Sequence, residues 1–252
     1  MKTNLYLEKL KLKPEEPSLD FLNKIIAAHQ RTISFNNLAV FFRPGEILDL
    51  DIEPLVEKVV LRGEGGYCFE NNKVLYYLLK NLGFKVEAKL ARVIYDREGD
   101  IPRTHRTTIV TISDERFIAD VGFGRDAPPF AVPFTSSKST NYQIVWNDHS
   151  YTLQFLKGPS VISLYSFDEG VYLEADFNVA NYYTNTHPSS KFVNELIVAR
   201  MDQGVIEFIN GKVYSRIENG ERENKEIFNQ QDFDSHLKKF GIEAMYDFSK
   251  VK

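Results

Sequence analysis

The sequence is short of several residue types, and each shortage excludes a class of protein. Cys68 is the single cysteine among 252 residues, which excludes an intrachain disulfide and a cysteine-rich metal site. The net charge is -4, from 31 basic and 35 acidic residues, and gives no reason to expect nucleic acid or a membrane surface as a partner. No stretch approaches the roughly 18 apolar residues that a membrane span needs.

The first residues also lack a targeting pattern. Residues 1–21 contain neither an apolar core of signal-peptide length nor a small-residue cleavage site. A lone reactive thiol survives in a reducing compartment. We therefore expect a soluble, cytoplasmic protein. Its 43% hydrophobic and 26% charged residues are typical of a globular chain.

The hydrophobic pattern changes along the chain and predicts an α+β fold. Helical spacing prevails up to Gly83, with Ser18 as an N-cap, and alternation with a period of two follows. The last part mixes both patterns. We expect a helical segment carrying the cysteine over 1–83, a β-rich segment over 84–190 and an α/β segment over 191–252.

Individual elements follow from the same patterns. The predicted helices are 53–60, one beginning at Phe69 and ended by Gly83, and 232–240 ended by Gly241. The predicted strands are 85–95, 107–113, 116–121, 142–146, 151–156, 161–166, 194–201, 204–209 and 212–217.

Cys68 lies in a sequence context that suits a nucleophile. It follows Gly65-Gly66 and opens a predicted helix. A free thiol is only slightly ionised at neutral pH, and the unpaired N–H groups of a helix start favour the thiolate and can hold an oxyanion. The glycines allow a sharp turn and leave space for an acyl group. The competing interpretation is a small buried hydrophobic side chain.

His105 and Asp120 are the candidate partners of this cysteine. His105 stands at the head of the predicted strand 107–113, and Asp120 lies on the next strand. In an antiparallel hairpin with a turn near residues 113–115, their ends meet. His105 then takes the thiol proton, and Asp120 accepts its other N–H. The order Cys, His, Asp suits a papain-like or transglutaminase-like layout, although each residue alone has a structural explanation.

The other histidines have structural interpretations. His29 closes a helix face, His149 lies in a turn, and His236 lies on a polar helix face; His187 lies in a loop that can shape a pocket. No histidine or carboxylate spacing fits zinc, and no phosphate loop or dinucleotide fingerprint is present.

Several motifs resemble the arylamine N-acetyltransferase family. They are His29 followed by ISFNNL (33–38), RGEGGYCFENN (62–72), THRTTIV (104–110), ADVGFG (119–124), NYYTNTHPSSKF (181–192) and FDSHLKKFGI (233–242). Their order and separations fit the family.

The resemblance implies a fold, a reaction and a set of site residues. The fold is a helical bundle, a β-barrel-like segment and an α/β lid. Acetyl-CoA is the donor, an arylamine, arylhydroxylamine or hydrazine the acceptor, and no metal takes part. Cys68 is the nucleophile, His105 the acid and base, and Asp120 the orienting residue. The implied binding residues are Phe35 and Phe123 for the acceptor, and Ile101, Pro102, Arg103, Thr104, Gly122, Phe123 and Gly124 beside CoA.

Two positions depart from the family pattern. Glu64 stands where the family has Arg, and Asn36 stands where it has Glu, so both members of a neighbouring charge pair differ. Loss of both partners is far less costly than loss of one, and Arg62 is available to neutralise Glu64. The change motivates one alternative, a non-catalytic CoA-binding relative. A cysteine hydrolase with the same triad is the other.

Overall fold

The computed structural model describes residues 2–95, 97–135 and 140–251. The helices in these ranges are α1 Lys2–Leu10, α2 Leu19–Thr32, α3 Leu38–Phe42, α4 Ile52–Leu55, α5 Cys68–Asn81, α6 Glu174–Thr186, α7 Lys191–Asn194 and α8 Gln230–Lys239. A π-helical turn, Val56–Leu61, follows α4, and short 3-10 turns occupy Gly124–Asp126 and Phe248–Lys250.

The strands form two antiparallel sheets. They are β1 Phe35–Asn36, β2 Lys85–Val93, β3 Arg103–Ile112, β4 Glu115–Ala119, β5 Val132–Pro133, β6 Tyr142–Asn147, β7 Ser150–Lys157, β8 Ser160–Phe167, β9 Ile197–Asp202, β10 Val205–Asn210, β11 Val213–Glu218 and β12 Glu221–Glu226. The barrel-like sheet has seven strands in the order β5-β4-β3-β2-β8-β7-β6, and the second sheet has five in the order β1-β9-β10-β11-β12. The predicted α+β class, with its β-barrel-like sheet, is confirmed.

Side-chain hydrogen bonds to backbone N–H groups define the starts of helices α2 and α5. The Ser18 side chain accepts the N–H of Phe21 at 3.2 Å, which confirms the predicted N-cap of α2. In α5, the Glu70 carboxylate accepts the N–H of Tyr67 at 3.1 Å and satisfies a donor at the helix start. Gly83 follows α5 with φ of 88° and ends it as predicted.

The β3–β4 hairpin brings the two candidate triad strands together. Ser113 and Asp114 both have positive φ, 48° and 66°, which is the turn geometry that matches the twist of a two-residue hairpin. Thr108 faces Ala119 in the resulting register. Strand β3 begins at Arg103 rather than at residue 107, so His105 lies inside the strand and not ahead of it.

Some element predictions need correction. The helix expected over 53–60 is a short α-helix that continues as the π turn. The strand expected from 194 begins at Ile197, because Asn194 ends α7 and donates to the Pro188 and Ser190 carbonyls. His236 was expected on a polar helix face, but it is buried and packs on Tyr214 with ring centroids 4.6 Å apart.

The core joins the three predicted segments. One cluster of buried apolar residues includes α2 and α5 together with side chains of β3, β4, α6, β9 and β10. Strand β1 pairs with β9, Phe35 facing Ala199. The sheet and the core thus link the predicted segments to one another. The boundaries between these segments, at residues 83 and 190, stay a prediction. No helix in the described ranges is long and apolar enough to cross a membrane.

Candidate active site

A cavity of about 460 Å³ contains the candidate nucleophile and base. Its lining comes from β2, β3 and the segment after β4, and from α6, α7, β9 and β10. Its lining is Phe35, Cys68, Val93, Tyr95, Arg97, Glu98, Asp100, Ile101, Pro102, Thr104, His105, Gly122, Phe123, Gly124, Arg125, Asp126, Tyr183, Thr184, Ser189, Ser190, Lys191, Phe192, Ile197, Ala199, Phe208, Ile209 and Asn210.

Cys68 is the first residue of α5 and lies against two strand segments. Its side chain is buried, and its Sγ lies 3.6 Å from the carbonyl oxygen of Thr104. The Cα of Cys68 packs so closely on Gly122 that a Cβ at Gly122 would lie 2.8 Å from it. Since real Cβ atoms avoid such distances, glycine is required at residue 122 for α5 to approach the segment after β4.

His105 and Asp120 form a buried charged pair next to Cys68. The Nε2 of His105 lies 2.6 Å from the Oδ2 of Asp120, and both side chains are almost fully buried. Burial by itself lowers the pKa of His105, but the charge and hydrogen bond of Asp120, together with Cys68, outweigh it and raise that pKa to about 10. The imidazole is therefore held as a cation at neutral pH.

Asp120 is held as a carboxylate by the groups around it. Burial works to raise its pKa, but the charge and hydrogen bond of His105 lower it overall, with Asn72 and the Gly122 N–H helping. Its Oδ1 accepts Asn72 Nδ2 at 2.9 Å and the Gly122 N–H at 2.8 Å. Every oxygen of this buried carboxylate thus has a partner, as burial of a charge demands.

Asn72 is a site residue that sequence reasoning missed. Its Nδ2 donates to the Arg106 carbonyl as well as to Asp120, and its Oδ1 accepts the Val121 N–H at 3.0 Å. One amide thus fixes α5 to both β3 and the segment after β4. The available signal was its spacing of four from Cys68, which places both residues on one face of the helix.

The glycines before Cys68 allow the predicted turn, since Gly65 has φ of 65°, but they do not leave the predicted space for an acyl group. A Cβ at Gly65 would lie 2.3 Å from the Ser34 carbonyl, and one at Gly66 would lie 2.8 Å from the Glu70 side chain. Neither glycine lines the cavity in the described structure. The space left by their missing side chains is filled by protein and not kept for an acyl group, so that expectation is wrong.

Most of the predicted binding residues line the cavity, and one does not. Phe35, Ile101, Pro102, Thr104, Gly122, Phe123 and Gly124 are all in its wall. Arg103 instead pairs with Asp168 and lies over the Tyr172 ring. The Phe123 ring stands edge-on to the His105 ring, with centroids 5.2 Å apart.

Four further aromatic side chains line the cavity without having been predicted. They are Tyr95, Tyr183, Phe192 and Phe208. Tyr183 and Phe192 lie in the motif at 181–192, which was the signal available for them. The expected pocket-shaping His187 is exposed and outside the lining, and it stacks on Tyr183 with centroids 4.4 Å apart.

The two departures from the family pattern meet in the structure. Asn36 Nδ2 donates to the backbone carbonyl of Glu64 at 2.8 Å. The Glu64 carboxylate pairs with Arg62, and both side chains are partly exposed. The carboxylate that replaces the family arginine therefore has a cationic partner within the same loop. The described residues contain no group of three His, Cys, Asp or Glu side chains that could hold a metal ion.

Comparison with known proteins gives a consistent result. A family model described as N-acetyltransferase matches residues 18–247. The arylamine N-acetyltransferase of Mycobacterium tuberculosis is 34% identical over 194 residues, which are 73% of this chain and 68% of that protein. The arylamine N-acetyltransferase / N-hydroxyarylamine O-acetyltransferase of Salmonella typhimurium is 35% identical over 190 residues, 73% of this chain and 67% of that protein.

Solved structures agree over almost the whole chain. The arylamine N-acetyltransferase of Salmonella typhimurium superposes with a TM-score of 0.92 at 27% identity, covering 99% of this chain and 96% of that one. The Mycobacterium marinum arylamine N-acetyltransferase, solved in complex with CoA, gives a TM-score of 0.90 at 25% identity with the same coverage of both chains.

Proposed function

We propose that this chain, which belongs to the arylamine N-acetyltransferase family, transfers an acetyl group from acetyl-CoA to an arylamine, arylhydroxylamine or hydrazine. One observation carries the proposal: Cys68 and His105 line the same cavity, and His105 is paired with Asp120 behind it. The related protein solved with CoA supports acetyl-CoA as the cosubstrate.

In the first half of the reaction, the acetyl group moves to the protein. The Cys68 thiolate, paired with the His105 cation, attacks the thioester carbon, and backbone N–H groups at the start of α5 stabilise the oxyanion. The bond from that carbon to the CoA sulfur breaks, and His105 gives its proton to the leaving thiolate. Acetyl-Cys68, free CoA and a neutral imidazole result.

In the second half, the amine nitrogen attacks the acetyl-cysteine carbon. His105 takes the proton that the amine loses, the bond to the Cys68 sulfur breaks, and the thiolate–imidazolium pair returns. Asp120 orients the ring and stabilises its cation throughout. The two halves predict ping-pong kinetics.

The walls of the cavity suit this chemistry. Phe35, Phe123 and Phe192 line the cavity together with Cys68, and the Phe35 and Phe192 rings lie with centroids 6.0 Å apart. An aromatic acceptor packs on such rings at favourable centroid distances, and an apolar wall protects the acyl-cysteine from water. We propose that Ile101, Pro102, Thr104 and Gly122–Gly124 border the CoA end of the cavity, whereas Arg103 supports Asp168 from outside it. A reduced Cys68 also fits a cytoplasmic location.

The test is whether acetyl-CoA alone labels Cys68. We expect intact-mass spectrometry to show an adduct of about 42 Da, since the first half-reaction needs no amine, and peptide mapping to locate it on Cys68. A following addition of an arylamine or a hydrazine removes the adduct. Cys68→Ala gives no adduct and lowers turnover roughly 10³-fold or more.

The same experiment separates the alternatives. CoA binding by folded protein without any adduct supports a non-catalytic relative instead. Turnover of amide substrates in the absence of CoA supports a cysteine hydrolase. Either result contradicts the proposal.

A further inference from the structure

A π-helical turn directs Lys58 towards the start of the helix that carries Cys68. In the turn Val56–Leu61, the Arg62 N–H donates to the Glu57 carbonyl at 2.9 Å, which is the five-residue spacing of a π-helix. Lys58 Nζ then donates to Glu70 Oε1 at 2.6 Å, with the two side chains 18% and 3% exposed. Single π turns are rare and frequently accompany functional sites.

Glu70 is fixed in the first turn of α5 and cannot turn away. Its second oxygen, Oε2, accepts the Tyr67 N–H at 3.1 Å. Gly66 packs against it, since a Cβ at Gly66 would lie 2.8 Å from the same oxygen. Two contacts besides Lys58, the Tyr67 N–H and Gly66, therefore hold this carboxylate two residues after Cys68.

An anion in this place acts against a second anion on Cys68. Like charges in a poorly solvated region disfavour each other. Tyr67 is close to both groups: burial, and then the charges of Cys68 and Glu70, raise its pKa well above the usual value. A cation paired with Glu70 is therefore needed. It lets the carboxylate bond the Tyr67 N–H without its negative charge disfavouring the Cys68 thiolate.

Other charged and titratable groups lie around this turn. His105 pairs with Asp120 beside Cys68, Arg62 with Glu64, and Arg43 with Glu46, while Tyr67 and Tyr246 contribute neutral phenols. The Nζ of Lys9 lies beside Gly63, directly after the turn. Burial, and then Glu64, raises the pKa of Tyr246, and Glu70 adds to the effect. Lys58 is the cation that contacts Glu70 in the described structure.

We propose that Lys58 is a positioning residue for the acetyl transfer: by neutralising Glu70, it allows that carboxylate to fix the start of α5 without placing net negative charge beside the Cys68 thiolate. The inference rests on the proposed role of Cys68 as nucleophile. It concerns this chain's own residues, because Asn36 and Glu64 lack the charge pair that the family pattern carries at those two positions.

The test is the pH dependence of Cys68 alkylation by iodoacetamide, read by mass spectrometry on the whole chain. With Lys58→Met, we expect the pH of half-maximal rate to rise by about half to one unit, because Glu70 is left unneutralised. With Glu70→Gln, which keeps an oxygen for the Tyr67 N–H, the midpoint falls. Lys58→Arg and the double variant Lys58→Met/Glu70→Gln keep the wild-type midpoint.

The controls distinguish charge from folding. Lys24→Met removes a lysine that pairs with Asp20 and Glu15 on the distant surface of α2, and it leaves the midpoint unchanged. A thermal melt of each variant reports folding separately. If Lys58→Met does not fold, Glu70→Gln still tests the opposite shift.

Two outcomes overturn the inference. One is an unchanged midpoint in Lys58→Met or, where that variant does not fold, in Glu70→Gln. The other is a double variant whose midpoint equals that of Lys58→Met. Alkylation needs no acetyl-CoA, so these outcomes are independent of adduct formation on wild-type Cys68. Failure of the adduct overturns the proposed function instead.

Discussion

Asn72 shows how a single neutral side chain can determine the geometry of a charged pair. It donates to the Asp120 carboxylate and to the Arg106 carbonyl and accepts the Val121 N–H. Because it belongs to the helix that begins with Cys68, it couples the position of the sulfur to that of the carboxylate. A shift of about 1 Å in such a constellation can reduce the rate roughly 10²-fold.

We expect Asn72→Ala to lower kcat/KM for acetyl transfer by about two orders of magnitude. The substitution removes one of the two partners of Asp120 Oδ1, and it removes the hydrogen bonds that join α5 to the Val121 N–H and the Arg106 carbonyl. Steady-state kinetics with an arylamine check the value. Asn81→Ala is the matched control, since Asn81 is an exposed amide on the same helix that donates to the Tyr77 carbonyl. Wild-type kcat/KM in Asn72→Ala contradicts the coupling.

The triad candidates could be chosen from the sequence because their residue types carry chemistry. The sequence offers few residues of these types in a suitable place: a lone cysteine at the start of a helix, a histidine, and an aspartate on a strand. Such candidates can be compared one by one. Asn72 could not be chosen in this way, since an asparagine has no reactivity of its own and its contacts depend on the register of the β3–β4 hairpin. Arg103 stands between the cavity-lining residues Pro102 and Thr104 in the sequence, but its side chain pairs with Asp168 and does not line the cavity.

Helix α2 is the element whose start was predicted most fully. Its N-cap Ser18 bonds the Phe21 N–H, and Phe21, Leu22, Ile25 and Ile26 are buried on one face. The hydrophobic spacing and the cap agree, and this agreement made the helix predictable.

Removing the cap of α2 is expected to weaken the fold and to leave the chemistry intact. Ser18→Ala lowers the free energy of unfolding by about 1 kcal/mol, the usual cost of losing a side-chain cap. Chemical denaturation measures it. Ser18→Asn, which keeps an acceptor, is expected to stay close to wild type. A fall in kcat/KM of the Ala variant under native conditions contradicts a purely structural role.

Elements held by tertiary contacts could not be read from the sequence. Helix α6 is rich in Asn, Thr and Tyr and lacks a clear apolar stripe, and Asn181 anchors it through Tyr67 and Leu48. Strand β12 is exposed throughout and charged except at Asn224, so it shows no alternation, and its pairing with β11 defines it. Periodicity also does not distinguish the π turn Val56–Leu61 from an ordinary helix.

The molecule as a whole carries a buried neutral histidine outside the site. His29 is fully buried, and the Tyr6 hydroxyl bonds its Nδ1. Burial lowers its pKa from the usual 6.5 to about 3. As the pH falls below about 6.5, the unfolded chain gains a proton on this ring before the folded chain does. The burial of neutral His29 therefore does not reduce the unfolding free energy above about pH 6.5, and it reduces that free energy progressively between pH 6.5 and 3.

We expect His29→Gln to reduce the dependence of the unfolding free energy on pH in that window. The slope should decrease by up to about 1.4 kcal/mol per pH unit, the contribution of one proton. Urea denaturation at several pH values from 4 to 7 measures it. His149→Gln, at an exposed turn, is the control and keeps the wild-type slope. An equal slope in His29→Gln contradicts the prediction.

The pairing of β1 with β9 has a consequence for the order in which the protein becomes active. Phe35 and Asn36 find their strand partners Ala199 and Val198 some 160 positions later in the chain. A nascent chain that has just passed Asp120 already contains Cys68, His105 and Asp120, yet it lacks Phe192, Ala199 and Phe208, which wall the cavity. The cavity around the Cys68 thiol is therefore enclosed only after the last quarter of the chain has been synthesised. Before that point, the sulfur of a ribosome-bound chain is open to water.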